Sequence, residues 1–253
     1  MTDLSKGLVV VTGASAGLGR ALSIEFASRG LRVAGFGRRA EELAETARLA
    51  GPGFVACPVD VSSAEEVSRS MDRLARDIAP VTILVNNAAV YPRRDFLDET
   101  PQSFMDSVAV NLGGFVNCSH AALRQMVLTG HGRILNVSTF ADLAPIPLSS
   151  AYAVSKGAAR IFTKALRADI EDRFPDIVIN DWMPGVLATE MGRADGIEPA
   201  TAARWGVTLA LWNDASLRGT LWERDQEMLP HRSLKGRIKD RLLLKSRSPR
   251  RLG

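Results

Sequence analysis

Leu8-Val9-Val10-Val11-Thr12-Gly13-Ala14-Ser15-Ala16-Gly17-Leu18-Gly19 sets a β-branched apolar run directly before three glycines, and an amphipathic stretch continues from it to about Gly30. The order reads as strand, glycine turn, helix. Leu31-Arg32-Val33-Ala34-Gly35-Phe36 supplies a second strand and completes one βαβ unit of about thirty residues. Glycines in such a turn let backbone approach a diphosphate closely, and the free amides and dipole of the following helix attract its charge. Gly13, Ser15, Gly17, Leu18 and Gly19 are therefore candidate dinucleotide-binding residues.

Outward from this unit, apolar runs recur at Phe54 to Pro58, Val81 to Asn86, Arg133 to Ser138 and Ile177 to Met183. Helical patterns separate them, which implies an α/β chain: a single doubly wound Rossmann-type domain, with a mostly parallel sheet of about seven strands and helices on both faces. The 253 residues, 46% hydrophobic and 24% charged, suit one globular core and exclude a disordered body. Cys57 and Cys118, each among apolar or small neighbours, read as buried reduced thiols. The chain enters its first strand almost at once, which leaves no room for a secretory leader, and no apolar run approaches the roughly twenty residues needed to cross a bilayer. A cytoplasmic enzyme is the expectation.

The charge is uneven. Residues 231 to 253 hold nine Lys or Arg against Asp240, so this segment carries +8 of a net +4 and leaves −4 on the rest. The expected division is a dinucleotide-binding and catalytic domain over 1–230 and a basic C-terminal tail over 231–253. Leu234, Ile238 and Leu242 recur every four residues within Leu234 to Lys245, the pattern of a short basic amphipathic helix. Such a helix suits an anionic membrane, a nucleic acid or a partner subunit; a solvated, frayed end accounts for the same composition.

Tyr152-Ala153-Val154-Ser155-Lys156 carries the chemistry. A tyrosine and a lysine four residues apart on a helix project from one face, and a nearby ammonium favours phenolate, bringing a phenol's proton within use near neutral pH. Together with Gly-x-x-x-Gly-x-Gly at Gly13 to Gly19, this pair resembles the short-chain dehydrogenase/reductase family. The resemblance runs from about Lys6 to Thr189 through separately placed motifs in the family's order. Asn86-Asn87-Ala88-Ala89 is similar to the family's Asn-Asn-Ala-Gly, with Ala89 for the glycine. Asn111 stands where the family keeps an asparagine. Pro184-Gly185, with Leu187 and Thr189 beyond, matches the segment that in relatives lies over the nicotinamide.

The resemblance implies a hydride transfer between a nicotinamide and a carbonyl or alcohol carbon. Tyr152 would be the acid in reduction and the base in oxidation, Lys156 would lower its pKa and hold the nicotinamide ribose, and Asn111 would hold a water linking the lysine to solvent. A helix-kinking or backbone-bonding asparagine is the other reading of Asn111. The family's carbonyl-polarising serine maps to Thr139, thirteen residues before Tyr152, with Ser138 beside it. Alternation along a strand lets only one of the two hydroxyls face the substrate. Asn87 and Val61 join the cofactor set, and Asp60 would meet the adenine amino group or else serve only the helix start before Ser62 and Ser63.

The second strand ends Phe36-Gly37-Arg38-Arg39. An acid there would accept from a free 2′-hydroxyl; Arg38 instead suits a 2′-phosphate, with Ser15 adding a hydroxyl, so the expected cofactor is NADP. Apolar Phe140, Leu143, Ile146, Pro147, Leu148 and Met191 in the flanking loops suggest a small-molecule ketone or secondary alcohol with a hydrophobic flank. Arg93 and Arg94 are either contacts for an acidic group or a solvated pair. The resemblance also implies a homodimer or homotetramer. Two other readings share these residues: a non-redox isomerase or lyase-like member of the fold, and a dinucleotide-binding regulator whose basic tail contacts nucleic acid or membrane.

Overall fold

A computed structural model describes residues 4–212, 214–229 and 248–252. Eight strands form one sheet in the order β3-β2-β1-β4-β5-β6-β7-β8. These are β1 Leu8–Thr12, β2 Arg32–Gly37, β3 Phe54–Pro58, β4 Val81–Asn86, β5 His131–Val137, β6 Asp176–Met183, β7 Leu221–Glu223 and β8 Gln226–Met228. Strands β1 to β7 are parallel and β8 is antiparallel. Helices α1 (Gly17–Ser28), α2 (Ala40–Ala50), α3 (Ala64–Asp77), α4 (Pro101–Val108), α5 (Gly114–Thr129), α6 (Ser150–Ile170) and α7 (Pro199–Leu211) connect them.

Alternation along β1 divides the core. Val9 and Val11 face one side with Leu22 and Phe26 of α1 and Val207 of α7, while Leu8 and Val10 face the other with Met71 of α3 and Cys118 and Met126 of α5. All ten are fully buried. Burying a side chain of this size contributes about 1.5–3 kcal/mol each, so the two faces together hold the doubly wound form. Both cysteines are free and buried, and burial pushes the Cys118 thiol up to about 12.

The strand order reverses between β1 and β4, which places a crevice at the carboxyl ends of those two strands. Thr12, the last residue of β1, closes the seam: its hydroxyl accepts from the amides of Asn87 and Ala88, both at 2.9 Å. The Asn87 side chain returns a bond to the Thr12 carbonyl at 2.9 Å.

The eighth strand is one more than expected from the sequence. Glu223 and Gln226 pair across a two-residue turn in which Arg224 takes a left-handed φ of 52°. No glycine or asparagine announces this turn; tertiary bonds impose it, from the Arg224 amide to Met183 O at 2.8 Å and from Trp182 Nε1 to Arg224 O at 2.9 Å. Residues 248–252 return to the same edge. Arg250 forks onto Glu227 at 2.7 and 2.9 Å and lies over the rings of Trp212 and Trp222, while Leu252 is buried. The expected helix over Leu234 to Lys245 lies outside the described residues. Among the described residues no helix is long and apolar enough to cross a membrane.

Candidate active site

The glycine turn is shaped by close packing. Gly13 has φ 68°, and a Cβ on Gly19 would lie 2.1 Å from the Gly13 carbonyl oxygen and 2.7 Å from Asn87 Nδ2. Only glycine at position 19 lets α1 start this near the turn. Ala16, at the N-cap of α1, provides no side-chain cap, so the first amides of α1 remain available to an anion. Arg20 braces the turn from behind, donating to Ser15 O and to Glu42 Oε2, both at 2.6 Å. A diphosphate fits such a cradle: backbone can come close, donors point outward and any added Cβ would obstruct.

From this turn a cleft of about 790 Å3 extends across the carboxyl ends of the strands. Gly13, Ser15, Gly17 and Leu18 line its first part, with Arg38 at the end of β2. Asp60, Val61 and Asn87 line the middle, and Pro184, Gly185, Leu187 and Thr189 the far wall. Gly19 does not line the cleft; it sits under the turn that does. Asp60 Oδ1 accepts from the Ser62 amide at 2.9 Å and the Ser62 hydroxyl at 2.8 Å, so its carboxylate also shapes the turn before α3.

Ser138, Thr139, Tyr152 and Lys156 line the other end. Strand β5 stops at Val137, so the two hydroxyl residues stand on a bend beyond the strand. The Ser138 amide donates to Trp182 O at 2.7 Å and Ser138 is buried, whereas the Thr139 hydroxyl lies close enough to Tyr152 to act on its phenol. Of the two, Thr139 is the one brought to the phenol. Tyr91, from the loop after β4, stacks on Tyr152 with ring centroids 4.5 Å apart. Helical spacing places Lys156 on the Tyr152 face of α6; its Nζ donates to Val137 O at 2.8 Å and lies 4.9 Å from the Phe115 ring centre.

Burial governs both ionisations. It pushes the Tyr152 phenol above its usual value, opposed by the Thr139 hydrogen bond and reinforced by Tyr91 and Asp142. It pulls Lys156 down to about 8, with Asp181 acting the other way. The Lys156 amine is buried and donates to the Val137 carbonyl, and burial is the largest influence on the Tyr152 phenol.

Asn111 is fully buried in a π-helical turn, Ala109–Gly113, between α4 and α5. It does not line the cleft. Its Oδ1 accepts from the Val90 amide at 2.7 Å, and its Nδ2 donates to Val90 O at 3.0 Å and to Ser155 Oγ at 2.9 Å. These are the bonds of a backbone-clasping asparagine that ties the loop after β4 to α6. Arg93, from that loop, reaches over Tyr91 and donates to Met191 O at 2.9 Å, and Arg94 pairs with Glu99. Ile146, Pro147, Leu148 and Met191 line the cleft; Phe140 and Leu143 do not.

Sequence reasoning missed a buried polar chain behind the site. Asn86 donates to Asn136 at 2.8 Å, Asn136 to Thr163 at 2.9 Å, and Thr163 to Asp181 at 2.9 Å. Asp181 follows Asn180 between the apolar residues Ile177 to Ile179 and Trp182 to Met183 of β6, and that polar interruption is the signal the sequence offers. Burial raises its pKa to about 6 from 3.8. The stability this proton confers is complete below about 4 and is lost as pH rises through 6. Asp181→Asn is therefore expected to melt near the parent temperature at pH 4 and a few degrees higher at pH 7. Calorimetry across that range checks it; parallel profiles would contradict the assignment.

Among the described residues no cluster of histidine, cysteine or carboxylate groups is arranged to hold a metal ion. The sequence model for the family described as short chain dehydrogenase matches residues 7–198. A probable oxidoreductase EphD of Mycobacterium tuberculosis is 35% identical over 193 residues, which cover 75% of this chain and 32% of the relative, so the chain spans about a third of that protein's length. A 2-(R)-hydroxypropyl-CoM dehydrogenase of Xanthobacter autotrophicus is 35% identical over 73% of this chain and 76% of the relative. A 5-keto-D-gluconate 5-reductase of Escherichia coli is 28% identical over 78% and 82%. With the glycine turn and the Thr139, Tyr152 and Lys156 groups facing one cleft, the chain belongs to the short-chain dehydrogenase/reductase family, whose members bind a nicotinamide dinucleotide.

Proposed function

We propose that this chain is an NADP(H)-dependent oxidoreductase that interconverts a ketone and a secondary alcohol with an apolar flank. The observation that carries the reading is the meeting of Thr139, Tyr152 and Lys156 at one end of a cleft whose other end is the glycine turn and Arg38. The bound dinucleotide would supply or accept the hydride. Thr139 and Tyr152 would both donate to the carbonyl oxygen, and Tyr152 would give its proton to the emerging alkoxide. A phenol held protonated by burial is suited to that donation at neutral pH. Lys156, beside Val137, would bond the ribose. Ile146, Pro147, Leu148 and Met191 would cover the flank of the substrate. Relatives named as a reductase and a dehydrogenase support the reaction class.

Arg38 is exposed at the end of β2, with no carboxylate at that position to repel a 2′-phosphate. Arg38→Asp is expected to weaken NADPH binding by about 10–100-fold through loss of charge-assisted bonds and added repulsion, while sparing NADH. Titration with both cofactors checks this, and an unchanged preference would refute the NADP reading. A screen of ketones and alcohols with each cofactor tests the activity. One equivalent of cofactor consumed per product is expected; product formed without cofactor turnover would replace the oxidoreductase by an isomerase or lyase-like enzyme.

A further inference from the structure

Arg160 and Asp142 form an ion pair at 2.8 Å, and each side chain is only 10% exposed. Arg160 lies on α6, two turns beyond Tyr152 and one beyond Lys156, so it shares their face. The same guanidinium nitrogen that meets Asp142 also donates to the Thr139 carbonyl oxygen. Asp142 packs on α6 as well: a Cβ on Gly157 would lie 3.2 Å from its own. The bend after β5 is thus fastened to α6 at Thr139, the residue that carries the polarising hydroxyl, and again at Asp142. The Ala141 amide donates to Thr139 Oγ1 at 3.3 Å, which fixes that oxygen's direction within the bend.

Breaking one partner of a buried pair is costly because it strands the other charge, so so enclosed a pair is a rigid fastening. Its carboxylate is also among the charges that act on the phenol. We propose that Arg160 and Asp142 are positioning residues for proton transfer: clamped to each other, they fasten the bend after β5 to α6 and so hold the Thr139 hydroxyl against Tyr152. This rests on Tyr152 being the proton-transfer group, as proposed above. Asp142 is among the charges that raise the Tyr152 pKa, and the Thr139 hydrogen bond lowers it.

The other groups facing Tyr152 are few. Tyr91, with Arg93 behind it, comes from the loop after β4; Lys156 stands beside it on α6, with Asp181 of β6 acting on that lysine. Glu190 and Arg193, from the loop after β6, line the same cleft.

Tyr91 and Tyr152 are the two tyrosines of the chain. In a Tyr91→Phe background the ultraviolet phenolate signal therefore reports Tyr152 alone, with no substrate or cofactor needed. Stopped-flow pH jumps read the ionised fraction before alkaline unfolding intervenes, and circular dichroism confirms that each variant is folded. Asp142→Asn is expected to shift the Tyr152 midpoint down by about half a pH unit or more. Arg160→Met is expected to shift it up, since Asp142 is left uncompensated and the Thr139 bond loosens. Arg160→Lys, which restores the charge, should move the midpoint back towards the parent value. Shifts of the same sign in Asp142→Asn and Arg160→Met, or none in either, would overturn the proposal. Turnover surviving in Tyr152→Phe would instead overturn the underlying reaction, so the two failures are distinguishable.

Discussion

Tyr152→Phe is expected to lower carbonyl reduction by about 10²–10⁴-fold, the usual contribution of a positioned acid, while dinucleotide affinity stays within about twofold. The phenol oxygen is the one atom removed. The ring remains stacked on Tyr91, and the glycine turn lies at the other end of the cleft. The Thr139 hydroxyl loses a polar neighbour but retains the Ala141 amide, so the bend after β5 should hold. Steady-state kinetics alongside cofactor titration checks both halves. Turnover within a few-fold of the parent would remove Tyr152 from the mechanism.

Gly19→Ala is expected to cost about 100-fold or more in dinucleotide affinity, equivalent to about 2.7 kcal/mol, and to lower the melting temperature by several degrees. The added carbon would lie 2.1 Å from a backbone oxygen and 2.6 Å from its carbon, both of Gly13, so no side-chain rotation relieves the overlap. The N-terminus of α1 must retreat, and the turn that accepts the diphosphate is displaced with it. Asn87, whose amide nitrogen would be 2.7 Å from the new methyl, loses its bond to Thr12 O, which loosens the seam between β1 and β4. Calorimetry with NADP and NAD checks the loss. Unaltered affinity would show that the dinucleotide does not use this turn.

The βαβ opening was legible because its signals are local. Alternation in Leu8 to Val11, the glycines of the turn and the Leu18, Leu22, Phe26 spacing of α1 act within one short stretch of chain, and six of the seven parallel strands overlap the apolar runs that announce them. Strand β8 has no such announcement: three residues pair because Trp182 and Met183, some forty positions earlier, hold Arg224 in a left-handed turn. Arg250 is similar. Within a run of basic residues it reads as one more solvated cation, yet it meets Glu227 and the faces of two tryptophans.

The site divides in the same way. Tyr152 and Lys156 are four apart on one helix, so their common face follows from helical geometry. The choice between Thr139 and Ser138 did not follow, because β5 ends before either residue and strand alternation no longer applies. Asn111 could be placed by motif but not by orientation; the π-helical turn directs its amide to Val90 and Ser155. Asp142 carried no spacing signal at all, since its partner lies eighteen residues away on another element.

By itself, then, the order of residues determined the doubly wound architecture, the glycine turn and the pairing of a phenol with an amine, since periodicity and short-range sterics act along the chain. Tertiary structure alone decided which hydroxyl meets Tyr152, that Lys156 turns to a carbonyl, and that an acid and an arginine are sealed behind them. Those outcomes depend on burial and on contacts between distant segments. Desolvation, which governs the charges here, exists only once the sheet and helices have closed over them.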